Sequence, residues 1–156
     1  DIVSEMARAL GTSGMLGGQV VDIESEGKTV TRETVEYIHH NKTAALICSS
    51  VRIGAMLAGA SDEAMKKLTS YGNNVGLAFQ VVDDILDEES TTEQLGKEAG
   101  KDRERGKATY PSVCGLEESK RYARELTNLA WNDISFLGSK GKILHDMAEY
   151  IITRIS

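Results

Sequence analysis

Along the chain, apolar residues recur at three- and four-residue spacing and nowhere alternate for long with polar ones, so the pattern predicts helices and no strands. The clearest case opens at Ser61, a capping residue. It runs on through Ala64, Leu68, Tyr71, Val75, Ala78, Val82 and Leu86, which fall on one stripe of a long helix. Before it, Ala44 to Ala60 is apolar and includes the small residues Gly54, Ala55, Ala58 and Gly59, as in a helix buried on most sides. Asn41-Lys42-Thr43 interrupts the apolar pattern and marks a kink or junction within one long element. Thr31 is placed to cap a helix through His40, with Glu33 and Glu36 in its first turns, where the helix dipole favours acids. Ile2 to Leu10 and Met15 to about Ser25 read as two earlier helices, the second capped near Ser13, and Glu26-Gly27-Lys28 as a turn. Downstream, Leu116 to Leu137 and Lys142 to Ile155 read as two amphipathic helices joined at Gly138-Ser139-Lys140-Gly141. No repeat, low-complexity segment or interdomain linker divides the 156 residues, which predicts one all-α domain.

Three carboxylates emerge from the longest stripe, in Phe79-Gln80-Val81-Val82-Asp83-Asp84-Ile85-Leu86-Asp87. Asp83 and Asp87 are four apart, so on a helix they share a face within about 6 Å, with Asp84 and Gln80 flanking it. Like charges so placed repel one another unless a cation relieves them. Oxygen donors without a His or Cys partner suit a hard ion, and Mg2+ held by one or two carboxylates plus phosphate oxygens fits best; a solvated acidic helix end is the plain alternative. Further on, Gly96 to Pro111 reads as a loop that interleaves glycines with Lys97, Lys101 and Lys107. Glycines let backbone approach a ligand closely, and lysines act as mobile point charges for phosphate. With Lys42 and Thr43 upstream, these groups describe a metal-diphosphate clamp.

Four blocks, in order, resemble the trans-type polyprenyl (isoprenyl) diphosphate synthases, in particular the farnesyl and geranylgeranyl diphosphate synthases. They are Gly17-Gly18-Gln19-Val20-Val21-Asp22, then Lys42-Thr43, then Phe79-Gln80 to Asp87, which is similar to the family's second aspartate-rich motif, and last Gly96-Lys97 to Lys107-Ala108-Thr109-Tyr110-Pro111. The resemblance covers nearly the whole chain but corresponds to the second half of a family member; the first aspartate-rich motif has no counterpart. It implies an all-α, isoprenoid synthase-type bundle of long antiparallel helices around a central cavity, of which residues 1–156 supply the C-terminal part, and a homodimer in full-length form. It also implies a prenyltransferase that condenses an allylic diphosphate with isopentenyl diphosphate by Mg2+-assisted ionisation. In that scheme Asp83 is the direct Mg2+ ligand, with Asp84 and Asp87 binding metal through water or supporting it. Lys42 and Lys97 contact the allylic diphosphate, Lys107 is a further contact to the same anion, and Thr43 and Gln80 place oxygen dipoles near the developing cation. Gln19 and Asp22 match a motif with a supporting role. A start at Asp1, already helical by Ile2, suggests either a fragment or a short noncatalytic or regulatory subunit working beside a complete one. A class I terpene cyclase is a poorer match, because its second metal motif mixes Asn, Ser and Glu.

Composition narrows the alternatives. A net charge of −6 argues against a nucleic-acid partner, and the basic loop carries Glu98, Asp102 and Glu104 among its lysines and no stacking aromatics. Cys48 and Cys114 lie far apart and form no CxxC, as expected of reduced packing residues in a cytoplasmic protein. No run of 18 apolar residues predicts membrane insertion and no targeting signal is visible. His39 and His40 are adjacent, so they point apart on a helix and read as core or surface polar residues rather than ligands. Trp131 with Ile134 and Leu137 reads as core, Met15, Met56 and Met65 as gap-filling, and Arg154 as complementing a helix dipole, with closure of a diphosphate site as the family alternative.

Overall fold

The computed structural model of the chain describes residues 1–89 and 107–155, and among these every regular element is a helix. Helices α1 (Ile2–Leu10) and α2 (Met15–Ser25) lead to α3 (Arg32–His39). Thr31 caps α3 by accepting from the Thr34 N–H at 3.4 Å. The chain then widens into a π-helical turn over His40–Ala44 before continuing as α4 (Ala45–Leu57). The interruption expected at Asn41-Lys42-Thr43 is thus one inserted residue within a continuous helical rod, with the Ala45 N–H reaching back to the His40 carbonyl. Ser61 caps the long α5 (Asp62–Glu89). After it come a short α6 (Tyr110–Cys114), α7 (Leu116–Ile134), a 3-10 segment (Ser135–Gly141) and α8 (Lys142–Thr153).

Helix α5 is the axis on which the rest pack. Its stripe holds as read at Leu68, Tyr71, Val75, Ala78 and Val82, all buried, and Val81 and Ile85 widen it to a second face. Burial of each such aliphatic or aromatic side chain favours the fold by roughly 1.5–3 kcal/mol. Helix α4 runs antiparallel to α5. Arg52 donates to Thr69 Oγ1 at 2.7 Å, Cys48 abuts Gly72, Ala44 abuts Gly76, and Thr43 reaches Gln80. The two backbones approach closely only because glycine occupies Gly72 and Gly76. A Cβ on Gly76 would sit 2.5 Å from the Ala44 Cα, and one on Gly72 2.7 Å from the Cys48 Cα. Helix α7 returns antiparallel along another side of α5, joined by Asn74 to Asp133 at one end and Glu89 to Lys120 at the other. Tyr71 fastens α8 by donating to the Leu144 carbonyl at 2.7 Å.

Several local expectations change. Ser13 does not cap α2; Gly14 stands at that position and no side chain bonds the helix end. Helix α4 is less enclosed than its small-residue run implies, with Leu57 72% exposed. Helix α7 stops at Ile134, whose ψ of 1° leaves the α-helical range, and the chain passes through the 3-10 segment, within which Gly138 adopts φ 53°. The short α6 lies in a stretch read as loop. Pro111 in its first turn and the reciprocal Thr109–Ser112 capping bonds start it, and Gly115 ends it. Both cysteines are free, and Trp131 packs at the core margin with its ring stacked on His145.

Candidate functional site

Three elements bring polar residues to the C-terminal part of α5, namely the π-helical turn, the end of α3 and the extended approach to α6, while α2 packs on the π-helical turn. The π-helical turn matters because its extra residue rotates Lys42 and Thr43 out of the register a plain α-helix would impose. Thr43 then faces α5 and donates from Oγ1 to Gln80 Oε1 at 2.8 Å. Lys42 turns towards α2, where its Nζ donates to Asp22 Oδ2 at 2.6 Å. Asp22 is 5% exposed, and its other oxygen, Oδ1, is buried with no hydrogen-bond partner. Gly18 makes the approach possible, since a Cβ there would lie 2.4 Å from the Lys42 backbone nitrogen. The Gly17–Asp22 motif therefore supplies close backbone contact at Gly18 and a counter-charge at Asp22, a supporting role for Lys42.

The three carboxylates of α5 divide between environments. Asp83 is partly exposed and faces Arg154, whose Nη2 lies 3.7 Å from Asp83 Oδ1 while its guanidinium covers the Phe79 ring. Arg154 thus stands at the site as well as at the end of α8. Asp84 turns inward. Its Oδ2 receives the Tyr110 backbone N–H at 2.8 Å and lies 3.1 Å from His39 Nε2. Asp87 lines a cleft of about 650 Å³ with Asp84, Lys107, Thr109 and Lys28. Asp83, Asp84 and Asp87 do not converge on one point; among the described residues the only three-residue grouping at metal-ligand spacing is His145, Asp146 and Glu149 on the exposed face of α8. In that grouping Asp146 pairs with Lys142 and the His145 ring stacks on Trp131. Asp83 and Asp87 nevertheless fit a hard cation in donor type. They are partly exposed carboxylates one helical turn apart with no soft ligand beside them, the small donor number that Mg2+ takes when phosphate oxygens complete its shell.

Lys107 lies at the rim of the cleft. Lys97 and Lys101 lie outside the described residues. Sequence reasoning missed His39 as the partner of Asp84. The signal was the Val35, Ile38 and His39 spacing, which puts His39 on the buried side of α3. Tyr110 links the same groups further. Its ring stacks on Tyr122 at 5.0 Å, both rings lie beneath the Arg32 guanidinium, and Arg32 donates to Glu36 at 2.7 Å. Burial pushes the Tyr110 hydroxyl well above the ordinary phenol range, more than the nearby Arg32 charge pulls it back.

The scaffold is all-α, with Thr43 of the π-helical turn bonded to Gln80 one helical turn before the acidic residues of the central helix, and its fold is that of the isoprenoid synthases. The polyprenyl synthetase family model matches residues 1–147, and the chain belongs to that family. It is 44% identical over 154 residues to the geranylgeranyl diphosphate synthase of Cyanophora paradoxa, covering 98% of this chain and 51% of that protein. It is 43% identical over 157 residues to the farnesyl diphosphate synthase of Escherichia coli K12, covering 98% of this chain and 52% of the other. The crystal structure of the Helicobacter pylori geranyltransferase complexed with magnesium and isoprenyl diphosphate superposes with a TM-score of 0.80 at 30% identity, over 99% of this chain and 50% of that one. The chain spans about half the length of these relatives, and its helical fold is that of isoprenyl diphosphate synthases. Among the described residues no helix is long and apolar enough to cross a membrane.

Proposed function

We propose that the chain is the C-terminal half of a trans-prenyltransferase that condenses an allylic diphosphate with isopentenyl diphosphate. The observation that supports this reading is the Thr43–Gln80 bond, made at 2.8 Å one helical turn before Asp83, with Lys42 next to Thr43 on the π-helical turn. Asp83 and Asp87 would hold Mg2+, with Asp84 supporting them; the metal supplies positive charge to the diphosphate oxygens as the allylic C–O bond breaks. Lys42 adds a second positive charge on the diphosphate side. Its value grows as negative charge collects on the departing group, so it lowers the barrier rather than merely tightening binding. Lys97 and Lys107 contact the same anion. Thr43 and Gln80, fixed by their mutual bond, present preorganised oxygen dipoles to the allylic cation, so no reorientation is needed when charge develops. The new C–C bond forms from the isopentenyl double bond, and a proton then leaves. Phe79, Ile47 and Val75 line the inner wall of an open apolar groove next to these groups, which once covered would keep water from the cation.

The chain spans about half the length of its relatives, and a second reading makes it a noncatalytic or regulatory partner of a complete synthase. A prenyl-transfer assay with isopentenyl and an allylic diphosphate plus Mg2+, on the chain alone and on the chain mixed with a complete synthase, separates the two. Turnover that disappears in Asp83→Ala supports the enzyme reading. No turnover by the chain alone, with a changed rate of the complete synthase when the chain is added that survives Asp83→Ala, supports the partner reading.

A further inference from the structure

Asp84 is the one carboxylate of the acidic turn whose environment is closed. Its side chain is 4% exposed and that of His39 5%. On one Asp84 oxygen, Oδ2, fall a hydrogen bond from the Tyr110 N–H at 2.8 Å and a close contact from His39 Nε2 at 3.1 Å. Facing an ionised carboxylate oxygen, Nε2 is the ring nitrogen that would carry the proton. Its other nitrogen, Nδ1, is buried without a partner among the described residues. The imidazole is further held by the Tyr110 ring, stacked at 6.4 Å between centroids and 25° between planes.

The two ends of this contact belong to the two halves of the proposed site. His39 is the last residue of α3, and the next turn carries Lys42 and Thr43. Asp84 sits between Asp83 and Asp87 on α5. We propose that His39 is a positioning residue for the Mg2+-binding turn: its close contact with Asp84 holds the Asp83–Asp87 face of α5 in register with the π-helical turn that follows α3. A buried carboxylate needs strong donors, and neutral packing would not supply them. Removing His39 leaves Asp84 with the Tyr110 backbone bond and lets the turn rotate, so the carboxylates on either side lose their alignment with the π-helical turn. Outer donors of this kind characteristically tune metal affinity through the ligands they orient.

This inference rests on the reading of Asp83 and Asp87 as metal ligands, and the test keeps the two apart. Binding of inorganic diphosphate is measured calorimetrically at increasing Mg2+ on wild type, His39→Leu, His39→Gln, Asp84→Asn and the His39→Leu/Asp84→Asn double variant, each shown to be folded by its thermal transition. His39→Leu should raise the half-saturating Mg2+ about tenfold. His39→Gln, which keeps a donor at the same reach, should restore it to near wild type, and the double variant should be no worse than the more severe single one. A folded His39→Leu with the wild-type Mg2+ requirement overturns the positioning role while leaving the function reading intact. Failure of His39→Gln to rescue also overturns it. Wild-type chain that takes up no diphosphate at any Mg2+ overturns the function reading and the positioning role with it. Nitrogen-15 NMR of the wild-type imidazoles gives a readout free of variants and metal: His39 should be protonated at Nε2, and a bare Nε2 with a protonated Nδ1 overturns the contact itself.

Discussion

Gly18 shows how a single missing side chain sets the chemistry of its neighbour. Lys42 can pair with the buried Asp22 only because α2 lies against the backbone of the π-helical turn, and that closeness leaves no room for a Cβ. The nearest atoms to an added methyl are backbone nitrogen and carbons of Asn41 and Lys42, between 2.4 and 2.9 Å away, and backbone in a helix cannot step aside as a flexible side chain would. Gly18→Ala should therefore cost about 1–3 kcal/mol, as overpacking does elsewhere, despite alanine's better helix propensity. Urea denaturation measures it, and a variant as stable as wild type would mean that α2 can shift at no cost. By contrast Gly54, with nothing near its Cβ position, should accept alanine and gain stability.

Among the elements, α1 is held to the bundle chiefly through one charged contact. Arg52 on α4 donates from Nε to Glu5 Oε1 at 2.5 Å and from Nη2 to Glu5 Oε2 at 3.2 Å, a two-pronged pair whose other guanidinium branch binds Thr69 on α5. The hydrogen bonds from Arg52 hold the Glu5 carboxyl below its ordinary value of 4.5, against the opposing effect of burial. A carboxyl depressed in the folded state contributes stability above its unfolded pKa and loses it as pH falls through the folded value. Wild type should therefore lose stability between about pH 5 and 3, and Glu5→Gln should flatten that part of the profile while lowering the plateau near neutrality. Thermal unfolding across this range tests it; parallel profiles would remove Glu5 from the acid response. The same elements show what the sequence makes legible. Helix α5 announces itself because its stripe is long and periodic, and the break at Asn41–Thr43 is visible because polar residues interrupt that period. The inward turn of Asp84 is hidden, since its partners, His39 and the Tyr110 N–H, are distant in the chain and one of them is a backbone atom that no residue type encodes. The short α6 is hidden for a related reason: its signals, Thr109, Pro111 and Ser112, are also loop signals, and only burial of Tyr110 against α3 and α5 decides for helix.

For the whole molecule, the balance of buried and exposed apolar surface is uneven. Leu16, Val20 and Ile23 on α2 are each more than half exposed, and on α8 Ile143, Met147 and Tyr150 are 74%, 52% and 69% exposed. The α8 group is contiguous, because Ile143, Met147 and Tyr150 line one groove of about 510 Å³ with Ile47, Val75 and Phe79. An apolar patch of this kind on a folded chain seeks a cover. Tested as residues 1–156, the chain should meet a second copy through this face. Self-association through this face should be visible by analytical ultracentrifugation as a sedimentation coefficient that rises with concentration. Replacing Ile143 and Tyr150 together by lysine should return the chain to monomer. Both positions are solvent-facing, so the double variant should keep its unfolding free energy within the roughly 0.5 kcal/mol expected of surface changes. A double variant that sediments like wild type would place the association on α2 instead, and Val20→Lys would then be the change that abolishes it.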